Sequence, residues 1–161
     1  MIIDDILLAR GLHVVGIIFW IGGVAMETTV LLLAMRRTAD VDERVRWFKK
    51  IERGFVWQAR LTTLLVGGTG FYMLNALDAW SSLATIEGLW LHAMILVWVI
   101  FTMVLFVLEP LILHQWFERR VERDPDGTFT LIARLHWGLL IVSTLTVFFG
   151  VVGAHGGISA S

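Results

Sequence analysis

The segment RGLHVVGIIFWIGGVAMETTVLLLAM, residues 10–35, decides the fold because it is apolar and long enough to cross a lipid bilayer. It nevertheless carries His13 and Glu27, and ionisable groups are costly in hydrocarbon unless each has a partner or a function. On a helix the two lie about 40° apart, so they share one face. The same face carries two residues without side chains and a large aromatic residue, namely Gly16, Gly23 and Trp20. Such a face is typical of a helix that packs against a flat, bulky group.

The composition indicates a single membrane domain, residues 1–161. Of these residues 57% are hydrophobic, which exceeds what a soluble domain of this length buries. There is no cysteine, so disulfides, thiolate metal sites, iron–sulfur clusters and haem attached through cysteines are excluded. The acidic start, without a basic leader, predicts that no signal peptide is removed. We expect the lipid bilayer, and no nucleic acid, as the partner.

Four apolar segments predict four membrane spans, at about residues 6–35, 55–77, 86–117 and 129–154. Basic residues cluster in the two loops after the first and third spans: Arg36, Arg37, Arg44, Arg46, Lys49, Lys50 and Arg53, then Arg119, Arg120 and Arg123. The positive-inside rule makes both loops cytoplasmic and both termini periplasmic. The predicted fold is therefore all-α, a four-helix transmembrane bundle that crosses a bacterial inner membrane several times.

Two local patterns refine the cytoplasmic side. Apolar residues at helical spacing between residues 40 and 55 predict an amphipathic helix that lies in the plane of the membrane, within the first loop. A short solvated connector is the alternative. The sequence DPDG, residues 124–127, predicts a tight turn.

The histidines fall in two layers. His13 and His92 lie about two helical turns inside the outer surface, and His155 ends the fourth span on the same side. His114 and His136 lie near the cytoplasmic ends of the third and fourth spans.

Two imidazoles from facing helices suit the axial positions of a b-type haem. We expect His13 and His92 to be the ligands, with His155 as the substitute, Gly16 and Gly23 admitting the ring and Arg10 meeting the propionates. The residues predicted to hold the cofactor are His13, His92, His155, Arg10, Gly16, Trp20 and Gly23. One alternative is that these histidines are structural. The other is copper, since Met73 and Met94 lie in the same layer and thioether with imidazole suits Cu(I).

The cytoplasmic half carries a second set of ionisable residues. Glu27, Arg60 and Glu109 lie in three spans at comparable depth. They predict either a buried salt-bridge cluster or a site for protons or a quinone, which His114 and His136 would complete. Pro110 predicts a kink that releases a backbone carbonyl nearby.

Three segments resemble a known family. Residues 12–23 (LHVVGIIFWIGG), 51–70 and 88–98 (GLWLHAMILVW) are similar to the first three spans of the copper-resistance D-type membrane proteins and of the related HemJ-type protoporphyrinogen oxidases. The resemblance implies a bundle of four to five helices that binds haem b and oxidises protoporphyrinogen, with His13 and His92 as the matching positions. The copper-resistance likeness implies copper handling on the periplasmic side.

We therefore predict a membrane haem b protein that carries out one-electron transfer with quinol or with a larger respiratory complex. The alternatives are copper binding or transport, a protoporphyrinogen oxidase-like enzyme, and a cofactor-free accessory subunit of a larger complex. A homo-oligomer is a further expected partner state. Whether the protein is an enzyme stays open at this point.

Overall fold

The computed structural model describes residues 4–154, and the regular elements within that range are all helical. Four of the helices are long: α1 (Asp5–Arg37), α2 (Val41–Ala76), α3 (Leu89–Val121) and α4 (Pro125–Ala154). Two short 3-10 segments, Ala79–Ala84 and Ile86–Gly88, connect α2 to α3.

Three of the four long helices, α1, α3 and α4, are long and apolar enough to cross a membrane. This confirms the all-α membrane class. The apolar second half of helix α2 is interrupted by Arg60, Asn75 and three threonines, so it is more polar than the apolar segments of the other three long helices.

Neighbouring helices pack antiparallel. On α1, Gly16 faces Val66 and Gly23 faces Phe55, so α2 runs back along α1. Further contacts join α3 to α4, α4 to α1 and α3 to α2. The connections at residues 38–40 and 122–124 therefore share one end of the molecule, which we call the basic end, and the start of α1 lies at the opposite end.

Close approach between α2 and α3 depends on a glycine. A Cβ on Gly67 would lie 2.5 Å from the indole of Trp98, so the ring occupies the space that a side chain would fill. The indole Nε1 of Trp98 donates a hydrogen bond to the Thr63 carbonyl at 2.9 Å. This contact therefore combines apolar packing with a satisfied polar atom.

The amphipathic helix predicted for residues 40–55 is present, but it is not a separate helix in the loop, and the alternative of a solvated connector is wrong. Helix α2 continues without a break from Val41 to Ala76. Its apolar stripe packs inside the protein, where Phe48 contacts the rings of Phe117 and Phe129. Because α3 and α4 extend beyond their apolar segments, they provide a protein surface for this stripe in place of lipid.

The predicted tight turn at residues 124–127 is also wrong, because α4 begins there. Asp124 caps the helix, with Oδ1 accepting from the Gly127 amide at 2.9 Å and the carbonyl accepting from the Thr128 amide at 3.0 Å. Pro125 is the first helical residue, a position where its missing N–H has no cost.

Two stretches widen into π-helix, Glu27–Leu31 in α1 and Val104–Leu113 in α3. Pro110 lies inside the second stretch. In a π-helix the amide of residue 110 would donate to the Leu105 carbonyl, but proline has no N–H, so this carbonyl lacks its usual donor. Arg60 Nε from α2 donates to that carbonyl at 3.0 Å. The released carbonyl expected near Pro110 is thus present, and a side chain from the neighbouring helix occupies it.

Candidate proton-binding site

A carboxylate and an imidazole meet between α1 and α4. Glu27 begins the π-helical stretch of α1 and is only 2% exposed. Its Oε2 lies 3.4 Å from Nε2 of His136, and within residues 4–154 this oxygen has no aligned hydrogen-bond partner. The adjacent Thr28 hydroxyl instead donates to the Val24 carbonyl at 2.6 Å. Glu27 therefore has His136 as its ionisable neighbour at close range.

The other ring nitrogen of His136 fixes where its protons can be. Nδ1 lies 2.9 Å from the Ile132 carbonyl, and a carbonyl only accepts, so Nδ1 carries a hydrogen. A neutral ring would then present the Nε2 lone pair to Glu27. An ionised carboxylate and that lone pair would repel each other. A proton on either Nε2 or the carboxylate would remove that repulsion and join the two groups by a hydrogen bond.

A second carboxylate, Glu52 on α2, belongs electrostatically to this site. Burial raises the pKa of Glu52 from 4.5 to about 7, and the negative charges of Glu27 and Glu109 add to the rise. The positive charges of His136 and Lys49 oppose it. A carboxyl group with this pKa is part protonated near neutral pH, so it can both accept and donate a proton there.

Arg60 and Glu109 form a separate ion pair. Arg60 Nη2 donates to Glu109 Oε2 at 2.7 Å, and Nε of the same guanidinium bonds to the Leu105 carbonyl. The guanidinium also lies over the rings of Trp57 and Phe106, 5.6 and 5.7 Å from their centroids. The predicted single cluster of Glu27, Arg60 and Glu109 is therefore two pairs, each bridging two helices.

His114 stands apart from both pairs. Its side chain is 62% exposed and its Nε2 lies 3.7 Å from Glu118, one turn further along α3. Of the residues predicted for the site on this half, the structure joins Glu27 to His136 and Arg60 to Glu109.

On the other half, His13 packs against α2. Its Nδ1 lies 2.9 Å from Thr69 Oγ1, while that hydroxyl gives its hydrogen to the Leu65 carbonyl at 2.6 Å. Thr69 must therefore accept from His13 Nδ1–H, which places the lone pair of the neutral ring on Nε2. Gly70 allows the ring to approach, since a Cβ there would lie 3.2 Å from His13 Cε1.

His92 lies on α3 at a similar level. The edge-on contact of Trp20 with Phe101 marks one level on both helices. Towards the end opposite the basic end, His13 lies seven residues from Trp20 and His92 lies nine residues from Phe101, which are about 10 and 14 Å along the helix axes. His92 is exposed, and its Nδ1 bonds to the Gly88 carbonyl at 3.1 Å. The ring thus also keeps its lone pair on Nε2.

The glycines of α1 do not leave a slot for a cofactor. A Cβ on Gly16 would meet Val66 at 2.8 Å, and one on Gly23 would meet Phe55 at 2.7 Å. Side chains of α2 fill the space in which a porphyrin was expected, because removing side chains from α1 lets α2 approach. The residues described here thus do not fit a haem along this stripe, and a haem on His13 would have to lie elsewhere.

The remaining predicted cofactor residues add little to that pocket. Trp20 is buried, with no acceptor for its indole N–H in the described part of the chain, and Arg10 is exposed. His155 lies outside the described residues. The copper alternative requires Met94 to lie near His13. Met94 Sδ instead packs against Gly150 on α4, 2.9 Å from where a Cβ of that glycine would lie, whereas His13 packs against α2. Within residues 4–154, no three or more His, Cys, Asp or Glu side chains group as a metal site.

Glu52 and Thr69 are the functional residues that the sequence analysis missed. Glu52 had a readable signal, because it lies four residues after Phe48 and seven before Ala59, both of which are buried. That spacing puts it on the inner face of α2. Thr69 had no such signal in the sequence, because the hydroxyl of a threonine in a helix normally bonds only to a backbone carbonyl of its own helix, here that of Leu65.

Comparison of the chain with family models, with curated proteins and with solved structures finds no match. The resemblance to copper-resistance D-type and HemJ-type proteins therefore stays an expectation from the sequence.

Proposed function

We propose that this chain is a membrane protein that takes up and releases a proton at the Glu27–His136 pair, as a partner in quinol-linked redox chemistry. The observation that carries this is the 3.4 Å approach of Glu27 Oε2 to His136 Nε2 while His136 Nδ1 donates to Ile132. Oxidation of a quinol releases one proton with each electron, so a buried pair that accommodates one proton suits that chemistry.

Glu52 would supply the exchange with water. It lies nearer the basic end than Arg60 along α2 and titrates near neutral pH. A proton could then pass between the aqueous side and the pair through a group whose affinity matches ambient pH.

The four-span topology belongs to the same proposal. All four long helices cross the membrane of a bacterial cell, with the basic end cytoplasmic and both termini periplasmic. Internal hydrogen bonds support α2 as a span, since the hydroxyls of Thr62 and Thr69 donate to Gln58 and Leu65 carbonyls. These two hydroxyl groups are thereby satisfied inside the helix, as lipid requires.

The test locates the proton. Membrane-embedded protein with ¹⁵N-labelled histidine is studied by solid-state NMR, which separates neutral from doubly protonated rings, and by infrared spectroscopy, which detects protonated carboxyl groups. At neutral pH we expect either a His136 imidazolium or a protonated Glu27. The Glu27→Gln variant should remove that signal, and the matched Glu109→Gln variant should keep it. A neutral His136 beside an ionised Glu27 would refute the proposal.

A b-type haem held by His13 and His92 is the second candidate function. What supports it is that both rings direct Nδ1–H to a fixed acceptor and leave Nε2 for a metal, the arrangement common among metal-binding histidines. Haem would supply one-electron transfer, and the chain would supply the two imidazoles. An absorption spectrum before and after dithionite tests it: a Soret band lost in His13→Ala supports haem, and a featureless spectrum with or without bound copper contradicts it.

A further inference from the structure

A concave site opens on α3 at the basic end, and no residue of the proton site lines it. Its volume is about 550 Å³, within the range of small-molecule pockets. Its wall presents apolar, aromatic and cationic side chains in that order along the helix: Leu111, Ile112, Trp116, Arg119, Arg120 and Arg123.

That order matches the layers of a phospholipid. Leu111 and Ile112 are 66% and 54% exposed at the end of the apolar part of α3, where acyl chains would contact them. Trp116 comes next, a residue type that favours the level of the glycerol backbone. Arg120 lies eight residues beyond Ile112, about 12 Å along the axis, at the level of a phosphate.

The three arginines lack acidic partners in the described part of the chain. Arg119 donates to the Gln115 side chain at 3.0 Å, and Arg120 lies over Trp116 at 5.6 Å from the ring centroid. Arg123 forms no ion pair there either. Asp124, the one acid that lines the site, accepts from the Gly127 amide. The site therefore keeps a net charge of about +2 from three arginines and one aspartate.

Two other cations at this end have carboxylate partners. Arg44 pairs with Asp126 and Lys49 pairs with Glu118, each at 2.9 Å. Three guanidinium groups left unpaired around one hollow are suited to a phosphate, which they can bind with several charge-assisted hydrogen bonds.

We propose that this hollow binds the headgroup of an anionic phospholipid. The arginines contact the phosphodiester and the second anionic or hydroxyl-rich part of the headgroup. Trp116 lies beside the glycerol, and Leu111 and Ile112 contact the first acyl carbons. The basic end of the protein is thereby fixed at the level of the lipid phosphates.

The experiment titrates the full-length protein, purified in neutral detergent, with phosphatidylglycerol or with phosphatidylcholine of the same chains. Native mass spectrometry counts the bound lipid. We expect phosphatidylglycerol to bind on the order of tenfold more tightly, because each arginine near the surface favours the anion. The triple variant Arg119→Gln/Arg120→Gln/Arg123→Gln should lose this preference.

A matched variant, Arg36→Gln/Arg37→Gln/Lys50→Gln, removes the same charge elsewhere on the basic end and should keep the preference. The triple lysine variant of the site retains the charge and should bind within a few-fold of the unmodified protein, which separates lost charge from lost folding. The proposal fails if the unmodified protein shows no preference, or if the triple glutamine variant keeps it. It also fails if millimolar inorganic phosphate displaces the lipid, since the ligand would then be a soluble anion.

Discussion

The Arg60–Glu109 and Glu27–His136 pairs lie in the same half of the molecule, yet their partners differ in chemistry. In the first, a guanidinium that never loses its charge donates to a carboxylate at 2.7 Å and to the Leu105 carbonyl. In the second, an imidazole and a carboxylate face each other at 3.4 Å, and each of these groups can bind or release a proton. Both pairs join two helices, but only in the second can both partners change their charge.

The groups around Arg60 and around Glu27 explain why the two pairs differ. Arg60 fills the carbonyl that Pro110 leaves open and lies over two aromatic rings, so its position is fixed from several sides. Glu27 Oε2 has no aligned donor among the described residues. The proposed proton site needs a neighbour that can lose a proton, and arginine cannot do so.

The largest expected loss of stability follows from breaking the Arg60–Glu109 pair. Arg60→Met should lower the free energy of unfolding by about 3 kcal/mol, because Glu109 loses its counter-charge and the Leu105 carbonyl loses its donor. Unfolding in mixed detergent–SDS micelles measures this. Arg36→Met, an exposed arginine on α1, is the control and should change the value by less than about 0.5 kcal/mol. Equal effects of the two variants would show that the pair has no structural role.

The second largest expected effect is a pH dependence of the stability, which Glu52 causes. With its pKa raised from 4.5 to about 7, Glu52 stabilises the fold fully below pH 4.5 and loses that contribution as pH rises through 7. Glu52→Gln should therefore match the unmodified protein at pH 4. At pH 8 the variant should be more stable, on the order of 2 kcal/mol after allowance for partial exposure. Unfolding titrations at both pH values measure this, and a variant less stable at pH 8 would contradict the raised pKa.

The His13–Thr69 contact provides an uncharged reference for the two pairs. Thr69→Val keeps the shape and removes the acceptor for His13 Nδ1–H, so we expect a loss of about 1 kcal/mol. Thr62→Val is the matched control, because the Thr62 hydroxyl bonds only to carbonyls of its own helix. If the two threonine variants lose equal stability, His13 gains nothing from Thr69.

The smallest expected effect is on the second pair. Glu27→Gln at neutral pH should change stability by less than about 1 kcal/mol, since the amide can donate to the Nε2 lone pair of His136 in place of the shared proton. The same substitution at Glu109 should cost more, because it leaves Arg60 without a counter-charge. The two variants are compared in one unfolding series. A loss at Glu27 as large as at Arg60 would make this pair structural as well.

The sequence predicts the helices better than their faces. Of the four predicted spans, apolar length correctly placed three helices that are long and apolar enough to cross a membrane. The depth of Glu27, Arg60, Glu109 and His136 correctly placed them in one half. Pairing could not be predicted, because the π-helical stretches at Glu27 and before His114 shift each face away from a 100° repeat.

The glycines show a second limit of the sequence. A glycine stripe indicates that something approaches closely, but it does not say what. On α1 the partners are Val66 and Phe55 of the next helix, and a cofactor would have produced the same stripe. Likewise, the amphipathic pattern of residues 40–55 is correct as a pattern, but its apolar side meets protein.

The Arg44–Asp126 contact has a consequence for biosynthesis. Arg44, at the start of α2, is only 4% exposed because Asp126 and Phe129 of the last helix cover it. As the chain leaves the ribosome, about eighty residues must follow Arg44 before its cover exists. We expect the guanidinium to stay hydrated during that interval, so that this end of the molecule closes fully only when the fourth helix arrives.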